Sequence, residues 1–352
     1  MTGSWESLVD LQTLTLWLAG QGLGNAPIVR PRALTGGTQN ILVAFERDGI
    51  SMVLRRPPSH AQTDSDVVMK REARLLAALG STSVPHPRFI AGCSDPAVLG
   101  ASFYVMEAVH GYNAHTALPP PFNADPALRQ RMGLALVDCI AVLGGLGYVA
   151  LGLGDFGRPE GFLERQVARW RKQLEGYTRY TGWPGLSSLG DIDRIGDWLD
   201  QNRPASQPPG IIHGDVHLAN LLYRFDAPEV AALVDWELAT IGDPLIDLGW
   251  LLCHWPEVNG TGIATTGAKP WEGFPSSGEL VARYGEISGR DVSSINWYAA
   301  LACYKRAVII EGTYARSLAG QADSATGREL HNRAVGLINR AHKFISMHGA
   351  LA

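Results

Sequence analysis

Residues 211–222 read Ile-Ile-His-Gly-Asp-Val-His-Leu-Ala-Asn-Leu-Leu, and residues 233–237 read Leu-Val-Asp-Trp-Glu. Each stretch begins with apolar residues that are typical of a strand and continues into a polar turn. Together they present Asp215, an asparagine five residues later (Asn220), and Asp235 after a short predicted hairpin. One carboxylate can orient a hydroxyl group, while an amide and a second carboxylate can hold a metal ion that neutralises phosphate charge. This spacing is typical of magnesium-dependent phosphoryl transfer.

Each of these residues also has an ordinary interpretation. An aspartate in a tight turn, such as Asp215 after His213 and Gly214, is often only a cap. Asn220 opens an apolar run, where capping is less needed, and Asp235 is expected at the end of a strand over 230–235. A buried aspartate without a partner is costly, whereas a metal ion offsets that cost. The combination therefore favours the chemical interpretation.

The histidines on either side of Asp215 allow a rival hypothesis. His213 and His217 form a His-x-Asp-x-His pattern, which could hold a transition metal in a hydrolase. This hypothesis leaves Asn220 and Asp235 unexplained, and the sequence has no second histidine cluster at ligand spacing. We interpret His213 instead as a packed, hydrogen-bonded residue that braces the loop.

Composition limits the class of protein. A chain of 352 residues is long for a single core, so two lobes are expected. The formal net charge of −4 gives no global basic field, which argues against a nucleic-acid partner. The cysteines are widely spaced without a C-x-x-C pair, which favours buried thiols in a cytoplasmic enzyme. They are Cys93, Cys139, Cys253 and Cys303.

Neither the amino terminus nor the most apolar segment predicts contact with a membrane. Glu6 and Asp10 come early without a preceding Lys or Arg, which is unlike a signal peptide. The longest uncharged stretch, 139–154, is shorter than the roughly 18–20 residues of a membrane helix, and we expect a buried helix followed by a loop.

Hydrophobic periodicity predicts an α+β fold. A small N-terminal lobe over 1–108 should contain helices at 5–19 and 67–79 and an antiparallel sheet with strands at 41–45, 51–55, 89–91 and 102–106. A larger, mostly helical C-terminal lobe over 109–352 should contain only three strands, at 211–213, 220–225 and 230–235. Its predicted helices are 126–143, 160–178, 190–201, 242–254, 277–287, 292–317 and 325–347.

These motifs resemble the aminoglycoside phosphotransferase family, whose members are relatives of the protein kinases, over roughly residues 27–345. The family's His-Gly-Asp followed by Asn matches His213-Gly214-Asp215 and Asn220, and its metal-binding Asp matches Asp235. The resemblance implies a bilobal protein-kinase-like fold, ATP and magnesium as cofactors, Asp215 as the catalytic residue, and Asn220 and Asp235 as magnesium ligands. It also implies that Asp247, in the stretch 243–249, braces the catalytic loop.

A closer likeness is to a subgroup found beside acyl-CoA dehydrogenases and sometimes fused to them. It is carried by Leu54-Arg55-Arg56-Pro57-Pro58, by residues 152–157, by Trp170 and by Gly289-Arg290-Asp291. Many family members have a histidine after the leucine that corresponds to Leu143, whereas this chain has Gly144-Gly145 there. We interpret this departure as a local packing change.

The resemblance also implies a nucleotide site in the small lobe. Gly36, Gly37 and Thr38 would approach the phosphates of ATP, although they lack the full G-x-G-x-x-G pattern. Arg55 stands where the family usually has a lysine, and its fork geometry differs from that of an ammonium group. Glu72 is the expected ion-pair partner of Arg55.

The adenine would lie where the two lobes join. By resemblance, backbone groups of Glu107 and Val109 would bind its edge, and the Met106 side chain would limit the depth of the pocket.

The acceptor should bind between the helices after residue 240 and the 160–185 segment. Carboxylates there would suit a polycationic aminoglycoside. The aromatic residues nearby favour an apolar or amphipathic molecule, and Arg283, Lys305, Arg306 and Arg316 could meet a carboxylate or the phosphates of coenzyme A. We prefer a hydroxylated small metabolite, with a hydroxyacyl thioester as one candidate. The carboxylates are Glu257, Glu272, Glu279, Glu286 and Glu311, and the aromatic residues are Trp255, Trp271, Phe274, Trp297, Tyr298, Tyr304 and Tyr314.

Three kinds of function compete for the same sequence. The leading hypothesis is an ATP-dependent small-molecule O-phosphotransferase, an enzyme whose partner is a small hydroxyl-bearing acceptor. The alternative is a catalytically weak, nucleotide-binding regulatory module, which Arg55 and the short glycine loop motivate. The metal-dependent hydrolase is the third.

Overall fold

The computed structural model describes residues 5–34, 40–58, 65–115, 117–256 and 268–347. The predicted phosphate loop with Gly36, Gly37 and Thr38 lies outside the described residues, and so does Glu257. The chain forms two compact units. The first unit contains Met1–Gly111, Val149–Gly154 and Ala231–Glu237, and the second contains Tyr112–Tyr148, Asp155–Val230 and Leu238–Ala352. A sheet organises the first unit and helices dominate the second, so the predicted α+β class is confirmed.

The first unit is built on a five-stranded antiparallel sheet. Its strands are β1 (Val29–Ala33), β2 (Ile41–Arg47), β3 (Ile50–Arg56), β4 (Phe89–Cys93) and β5 (Phe103–Glu107), in the order β1-β2-β3-β5-β4. Strands β2 and β3 form the predicted hairpin around Asp48 and Gly49, which have φ angles of 49° and 76°. Two positive φ angles match the right-handed twist of paired strands. The predicted strands are confirmed, whereas β1 was not predicted because its sequence contains a proline and two arginines.

Among the described residues of this unit, three α-helices accompany the sheet: α1 (Leu11–Gly20), α2 (Ser65–Leu79) and α3 (Pro96–Leu99). The helix predicted from residue 5 begins only at Leu11, since the Asp10 side chain caps it by accepting a hydrogen bond of 2.7 Å from the Thr13 N–H. Leu14 and Leu18 of α1 enter the core of the sheet. The buried Arg47 of β2 donates to the carbonyl of Thr15, which ties α1 to the sheet.

The second unit contains all the helices predicted after residue 125, with boundaries within four residues of the expected ones. They are α4 (Pro126–Gly145), α5 (Glu164–Glu175), α6 (Ile192–Gln201), α7 (Leu245–His254), α8 (Ser277–Ser288), α9 (Ile295–Leu318) and α10 (Ser324–Ser346). Helix α9 is the central element and packs most extensively against α10 and α7. Gly249 of α7 allows this close packing, because a Cβ there would lie 2.7 Å from the Cβ of Tyr298.

Short strands lead to the polar turns that the sequence singled out. They are β6 (Gly210–Ile212), β7 (Leu221–Tyr223), β8 (Val230–Leu233) and β9 (Thr240–Gly242). The expectation of only three strands in this region was wrong, because β9 pairs antiparallel with β6. A three-residue strand is too short for periodicity to reveal. In the part of the chain that the structure describes, no helix has the length and apolar character needed to cross a membrane.

The glycine pair at the end of α4 has a packing role at one of its two positions. A Cβ at Gly144 would lie 2.6 Å from the Cβ of Pro244, the residue that precedes α7. A Cβ at Gly145 would meet nothing within 4 Å. Gly144 therefore lets α4 approach the segment that leads into α7, as expected for a local packing change.

We predict opposite effects of alanine at these adjacent positions. Gly144→Ala should lower the free energy of unfolding by about 1–3 kcal/mol, because the added methyl group overpacks the contact with Pro244. Gly145→Ala should leave it unchanged or raise it by up to about 1 kcal/mol, because alanine favours a helix. Urea denaturation of both variants measures this difference. Equal stabilities would contradict the tight contact at Gly144.

Candidate active site

The loop that the sequence motif predicts to be catalytic, residues 213–220 (called the catalytic loop below), lies between β6 and β7 in the second unit. Asp247 on α7 accepts backbone hydrogen bonds from the N–H groups of His213 (2.7 Å) and Gly214 (2.8 Å). Burial raises the pKa of Asp247 to about 7, while these two bonds act to lower it. Gly214 has φ of 87°, and a Cβ there would lie 2.6 Å from the carbonyl oxygen of Leu238. Asp247 thus braces the loop, as expected.

Asp215 is surrounded by hydrogen-bond donors. Its Oδ2 accepts from Asn220 Nδ2 at 2.9 Å, its Oδ1 accepts from Trp250 Nε1 at 2.9 Å, and His217 Nε2 lies 3.5 Å from Oδ1. Burial acts to raise the pKa of Asp215, but the hydrogen bond and charge of His217 outweigh it. The net pKa is lowered, so the carboxylate is ionised at neutral pH.

Asn220 has its amide oriented by the same loop. Nδ2 donates to both the backbone carbonyl and the Oδ2 of Asp215, each at 2.9 Å. Since both hydrogens of the amide belong to Nδ2, these bonds assign Oδ1 as the acceptor atom of the side chain. Asn220 therefore presents the kind of neutral oxygen that suits magnesium.

The backbone N–H of Asp215 is held by His213. This residue is fully buried, and its Nδ1 accepts the Asp215 N–H at 3.3 Å. A ring nitrogen engaged in this way braces the turn. The contact agrees with our interpretation of His213 and gives no support to a His-x-Asp-x-His metal cluster.

Trp250 is a site residue that sequence reasoning missed. It lies on α7 three residues after Asp247, a spacing that puts both side chains on one face of the helix. Its indole N–H binds Asp215, and Lys305 Nζ lies 4.2 Å from the centroid of its ring. Burial lowers the pKa of Lys305, whereas the charges of Asp215 and Asp247 raise it. The helical spacing from Asp247 was the available signal.

A second polar cluster lies within the first unit, around Arg55 on β3. Its Nε is 2.9 Å from Glu72 Oε2 and its Nη2 is 3.0 Å from Glu72 Oε1, a two-point ion pair. Nη2 also binds Asp235 Oδ1 at 2.9 Å and lies 3.4 Å from Glu237 Oε2. Burial raises the pKa of Glu72 to about 7 against the opposing charge of Arg55. The ion pair expected between Arg55 and Glu72 is therefore present.

Asp235 departs from its expected place. Strand β8 ends at Leu233, and Asp235 follows it with φ of 68° instead of extending the strand to residue 235. Aspartate tolerates this left-handed conformation better than most residues. The backbone N–H of Leu233 donates to the carbonyl of Pro85, and Trp236 Nε1 donates to the carbonyl of Leu233. These bonds fix the turn that presents Asp235.

Glu237 is the second residue that we missed. Ligand oxygens of Glu72, Asp235 and Glu237 lie within 4.8 Å of one another, close enough to share a metal ion. Among the residues that the structure describes, this is the one group of three such side chains. The Asp-x-Glu spacing of residues 235–237 was the signal in the sequence. These acidic oxygens are the type of ligand that magnesium prefers.

The remaining predicted site residues lie at the end of β5. Met106 and Glu107 are half-buried, and the Glu107 N–H donates to the carbonyl of Arg88 at 2.9 Å. Val109 follows shortly after the strand and is half-buried too. The structure thus groups Asp215 with Asn220 in the second unit and Arg55 with Glu72 and Asp235 in the first.

We predict that the Arg55 ion pair stabilises the first unit far more than an exposed pair does. Arg55→Met should lower the free energy of unfolding by about 3–5 kcal/mol, because it leaves the buried Glu72 without its positively charged partner. Arg88→Met is the matched control, since Arg88 pairs with Glu107 at 2.7 Å but the two side chains are 63% and 45% exposed. That variant should lose at most about 1 kcal/mol. Similar losses in thermal and urea denaturation would contradict the prediction.

Comparison of the sequence with those of known proteins identifies relatives of this chain. The chain is 32% identical to Probable acyl-CoA dehydrogenase IBR3 of Arabidopsis thaliana over 311 residues, which cover 82% of the chain and 37% of that protein. It is 30% identical to acyl-CoA dehydrogenase family member 11 of Homo sapiens over 313 residues, which cover 87% of the chain and 39% of that protein. The chain spans less than half the length of these curated relatives.

Solved structures share the fold over nearly the whole chain. A protein from Ralstonia eutropha JMP134, named as an aminoglycoside phosphotransferase, is 28% identical with a TM-score of 0.78, covering 95% of this chain and 98% of that one. Aminoglycoside 2′-phosphotransferase-IIIa, solved as its GDP complex, is 16% identical with a TM-score of 0.63, covering 93% and 99%. The second likeness concerns the fold alone.

The sequence profile of the phosphotransferase enzyme family matches residues 30–280. This range includes Arg55, Glu72, the catalytic loop, Asp235 and Asp247, so the match covers both polar clusters. The chain therefore belongs to the phosphotransferase enzyme family, the aminoglycoside phosphotransferase family that the motifs of the sequence resembled.

Proposed function

We propose that this chain transfers the γ-phosphate of ATP to a hydroxyl group of a small molecule in a magnesium-dependent reaction. The observation that carries the proposal is Asp215, an ionised carboxylate held by Asn220 and Trp250 on a braced loop. Family membership supplies the reaction class, and the environment of Asp215 supplies the group that phosphoryl transfer requires next to the acceptor.

Asp215 would accept a hydrogen bond from the acceptor hydroxyl and align its oxygen with the γ-phosphorus. The new oxygen–phosphorus bond forms while the bond between the γ-phosphorus and the bridging oxygen of ADP breaks, and the hydroxyl proton passes to Asp215. Because its pKa is lowered, Asp215 is a weak base and acts mainly by orientation. Phosphoryl transfer with a loose transition state needs little more from it.

Asn220 and Asp235 are the proposed magnesium ligands, by the family's motif. Asn220 presents an amide oxygen and Asp235 a carboxylate, and the oxygens of Glu72 and Glu237 lie close to that of Asp235. This donor set suits a hard divalent cation. When bound, magnesium would neutralise phosphate charge. Arg55 would contribute a further positive charge toward the phosphates.

The nucleotide is proposed to bind to the lobe formed by residues 1–108, and the acceptor to the lobe formed by residues 109–352. Gly36, Gly37 and Thr38 would cover the phosphates, and the segment Met106–Val109 would hold adenine. Since the Glu107 N–H already donates to Arg88, the carbonyl of Glu107 is the proposed contact for the adenine amino group.

For the acceptor we propose a hydroxylated metabolite in preference to an aminoglycoside. The curated relatives are named as acyl-CoA dehydrogenases, which favours a hydroxyacyl thioester as one candidate. Three of the five carboxylates that could meet a polycation are engaged elsewhere: Glu279 closes the capping box of α8, Glu286 pairs with Arg283, and Glu311 binds Trp183 and His331.

We predict that two aspartates separate transfer from nucleotide binding. Asp215→Ala should reduce the rate of phosphate transfer by about 10²–10⁴-fold with little change in ATP affinity, because it removes the hydroxyl-orienting group. Asp235→Ala should weaken magnesium-dependent ATP binding as well. The measurements are ATP binding by calorimetry and the gain of one phosphate by mass spectrometry on a panel of hydroxylated metabolites. Asp226→Ala, which removes an exposed partner of Arg224, is the control.

The second candidate function, a nucleotide-binding regulatory module, is supported by the contacts of Arg55. Its guanidinium binds carboxylates that would otherwise be open to a metal ion, which would favour a module that binds nucleotide but transfers phosphate weakly. Wild-type protein that binds ATP with magnesium but neither transfers nor hydrolyses its phosphate across the panel would favour this module over the enzyme.

We predict that Trp250→Phe lowers kcat by about tenfold to hundredfold while the KM for ATP stays unchanged. The change deletes one hydrogen bond to a charged group, a loss of about 1.5–3 kcal/mol, but keeps an aromatic ring beside Lys305. Trp170→Phe is the matched control, since Lys305 also lies over that ring and its indole N–H has no hydrogen-bond partner among the described residues. Steady-state kinetics that give equal losses for both variants would contradict a specific role of the Trp250 N–H.

A further inference from the structure

A cavity of about 180 Å³ opens beside Asp215 within the second unit. His217, whose ring lies 3.5 Å from Asp215, is part of its wall, together with His115, His254 and Arg306. Leu251 and Trp255 supply apolar surface. At roughly 30 Å³ for a volume the size of a water molecule, the cavity holds about six non-hydrogen atoms. That is the size of a short acceptor or of one end of a longer one.

The charge of this wall is positive. Arg306 on α9 is permanently cationic, and none of the described residues that line the cavity is acidic. Burial and then the charge of Arg306 lower the pKa of His254 well below its usual value, so that ring is neutral. Its Nδ1 lies 2.8 Å from the carbonyl of Trp250, which assigns a proton to Nδ1 because a carbonyl can only accept. Arg306 is thus the dominant charge of the wall.

Two of the other cations suggested by the sequence, Arg283 and Arg316, make their contacts elsewhere, and Lys305 lies over the Trp250 ring. Arg283 binds both carboxylate oxygens of Asp138, at 2.7 and 2.9 Å, and also pairs with Glu286. Arg316 is exposed and donates to Thr313. Of the four cations, only Arg306 lines the cavity next to Asp215.

We propose that this cavity binds the anionic group of the acceptor, so that the phosphorylated molecule is a hydroxylated acid and not an amine. Arg306 holds the anionic group, while Leu251 and Trp255 cover the carbon chain that connects it to the hydroxyl at Asp215. A positive wall attracts an acid and repels an ammonium group, so the cavity discriminates by charge before shape. The inference rests on the proposed function for the role of Asp215.

Two molecules could supply the anion: a free hydroxy acid through its carboxylate, or a coenzyme A thioester through its phosphates. The cavity volume suits a carboxylate on a short chain. A matched series decides between them, consisting of 3- and 4-hydroxy acids of four to eight carbons, their methyl esters, their coenzyme A thioesters and the amino alcohols of equal length. Phosphate transfer from ATP and direct binding by calorimetry are both measured.

The acids should bind and react better than the matching esters and amino alcohols. Arg306→Gln should raise the KM and Kd of the preferred acid by about ten- to hundredfold, as expected for a lost hydrogen bond to a charged group. Arg306→Lys should recover part of this loss. Arg316→Gln, on the same helix but away from the cavity, should leave both constants unchanged.

The possible outcomes separate this inference from the proposed function. Amino alcohols or esters that bind as well as the acids at every chain length overturn the inference, even if phosphate is transferred. If the acids bind in an Arg306-dependent manner but never gain phosphate, this result supports anion binding by the cavity and overturns the proposed phosphate transfer. A preference confined to the thioesters assigns the anion to the phosphates of coenzyme A. If Arg306→Gln does not fold, the comparison of acids, esters and amino alcohols on the wild-type protein still tests whether the cavity prefers an anion.

Discussion

The geometry of the catalytic loop depends on one buried carboxylate, that of Asp247, and on the two backbone N–H groups that it accepts. A loop that turns sharply after a strand leaves its amides without backbone partners, and a buried amide without a partner is costly. Asp247 satisfies both amides, at 2.7 and 2.8 Å, and the left-handed Gly214 lets them converge on one side chain. The same helix carries Trp250 one turn further on, so α7 positions both the backbone of the loop and the side chain of Asp215.

A comparable arrangement exists in the first unit, where Arg55 takes the place of a lysine. A lysine would present a single charged point, whereas the guanidinium reaches Glu72 through two nitrogens and Asp235 and Glu237 through one. With all three carboxylates ionised, the cluster carries three negative charges and one positive charge, a formal net charge of −2. A divalent cation would balance this charge. The arginine is thus compatible with metal binding, although a metal ion would compete with it for Asp235.

Much of the fold and of the candidate site could be predicted from the sequence, and the features that could not be predicted have physical reasons. Long helices such as α9 and the hairpin around Gly49 repeat their apolar pattern often enough to be recognised, and the catalytic loop has a motif of its own. Strand β9 has only three residues, and Asp235 leaves its strand through a left-handed turn that alternation cannot reveal.

The site residues that we missed are those whose role arises from tertiary contacts. Trp250 looks like an apolar core residue in sequence, and only its indole N–H, aimed at Asp215, distinguishes it. Glu237 resembles a solvated charge until Arg55 is seen to bridge it to Asp235. Likewise, the sequence offered four cations that could bind an anionic acceptor, but in the structure Arg283 is paired with Asp138. Spacing along the chain identifies groups that can act, whereas packing selects among them.

The surroundings of Asp215 reconcile two demands on the same carboxylate. An anionic acceptor would raise the pKa of Asp215 by like-charge repulsion and make it less able to stay ionised. Donors from Asn220 and Trp250, together with His217, oppose that change, and the pKa of Asp215 starts from a lowered value. The carboxylate can therefore remain charged beside an acid. A group held in this way is a poor base but a well-placed acceptor, which is sufficient for a reaction driven mainly by positioning and charge neutralisation.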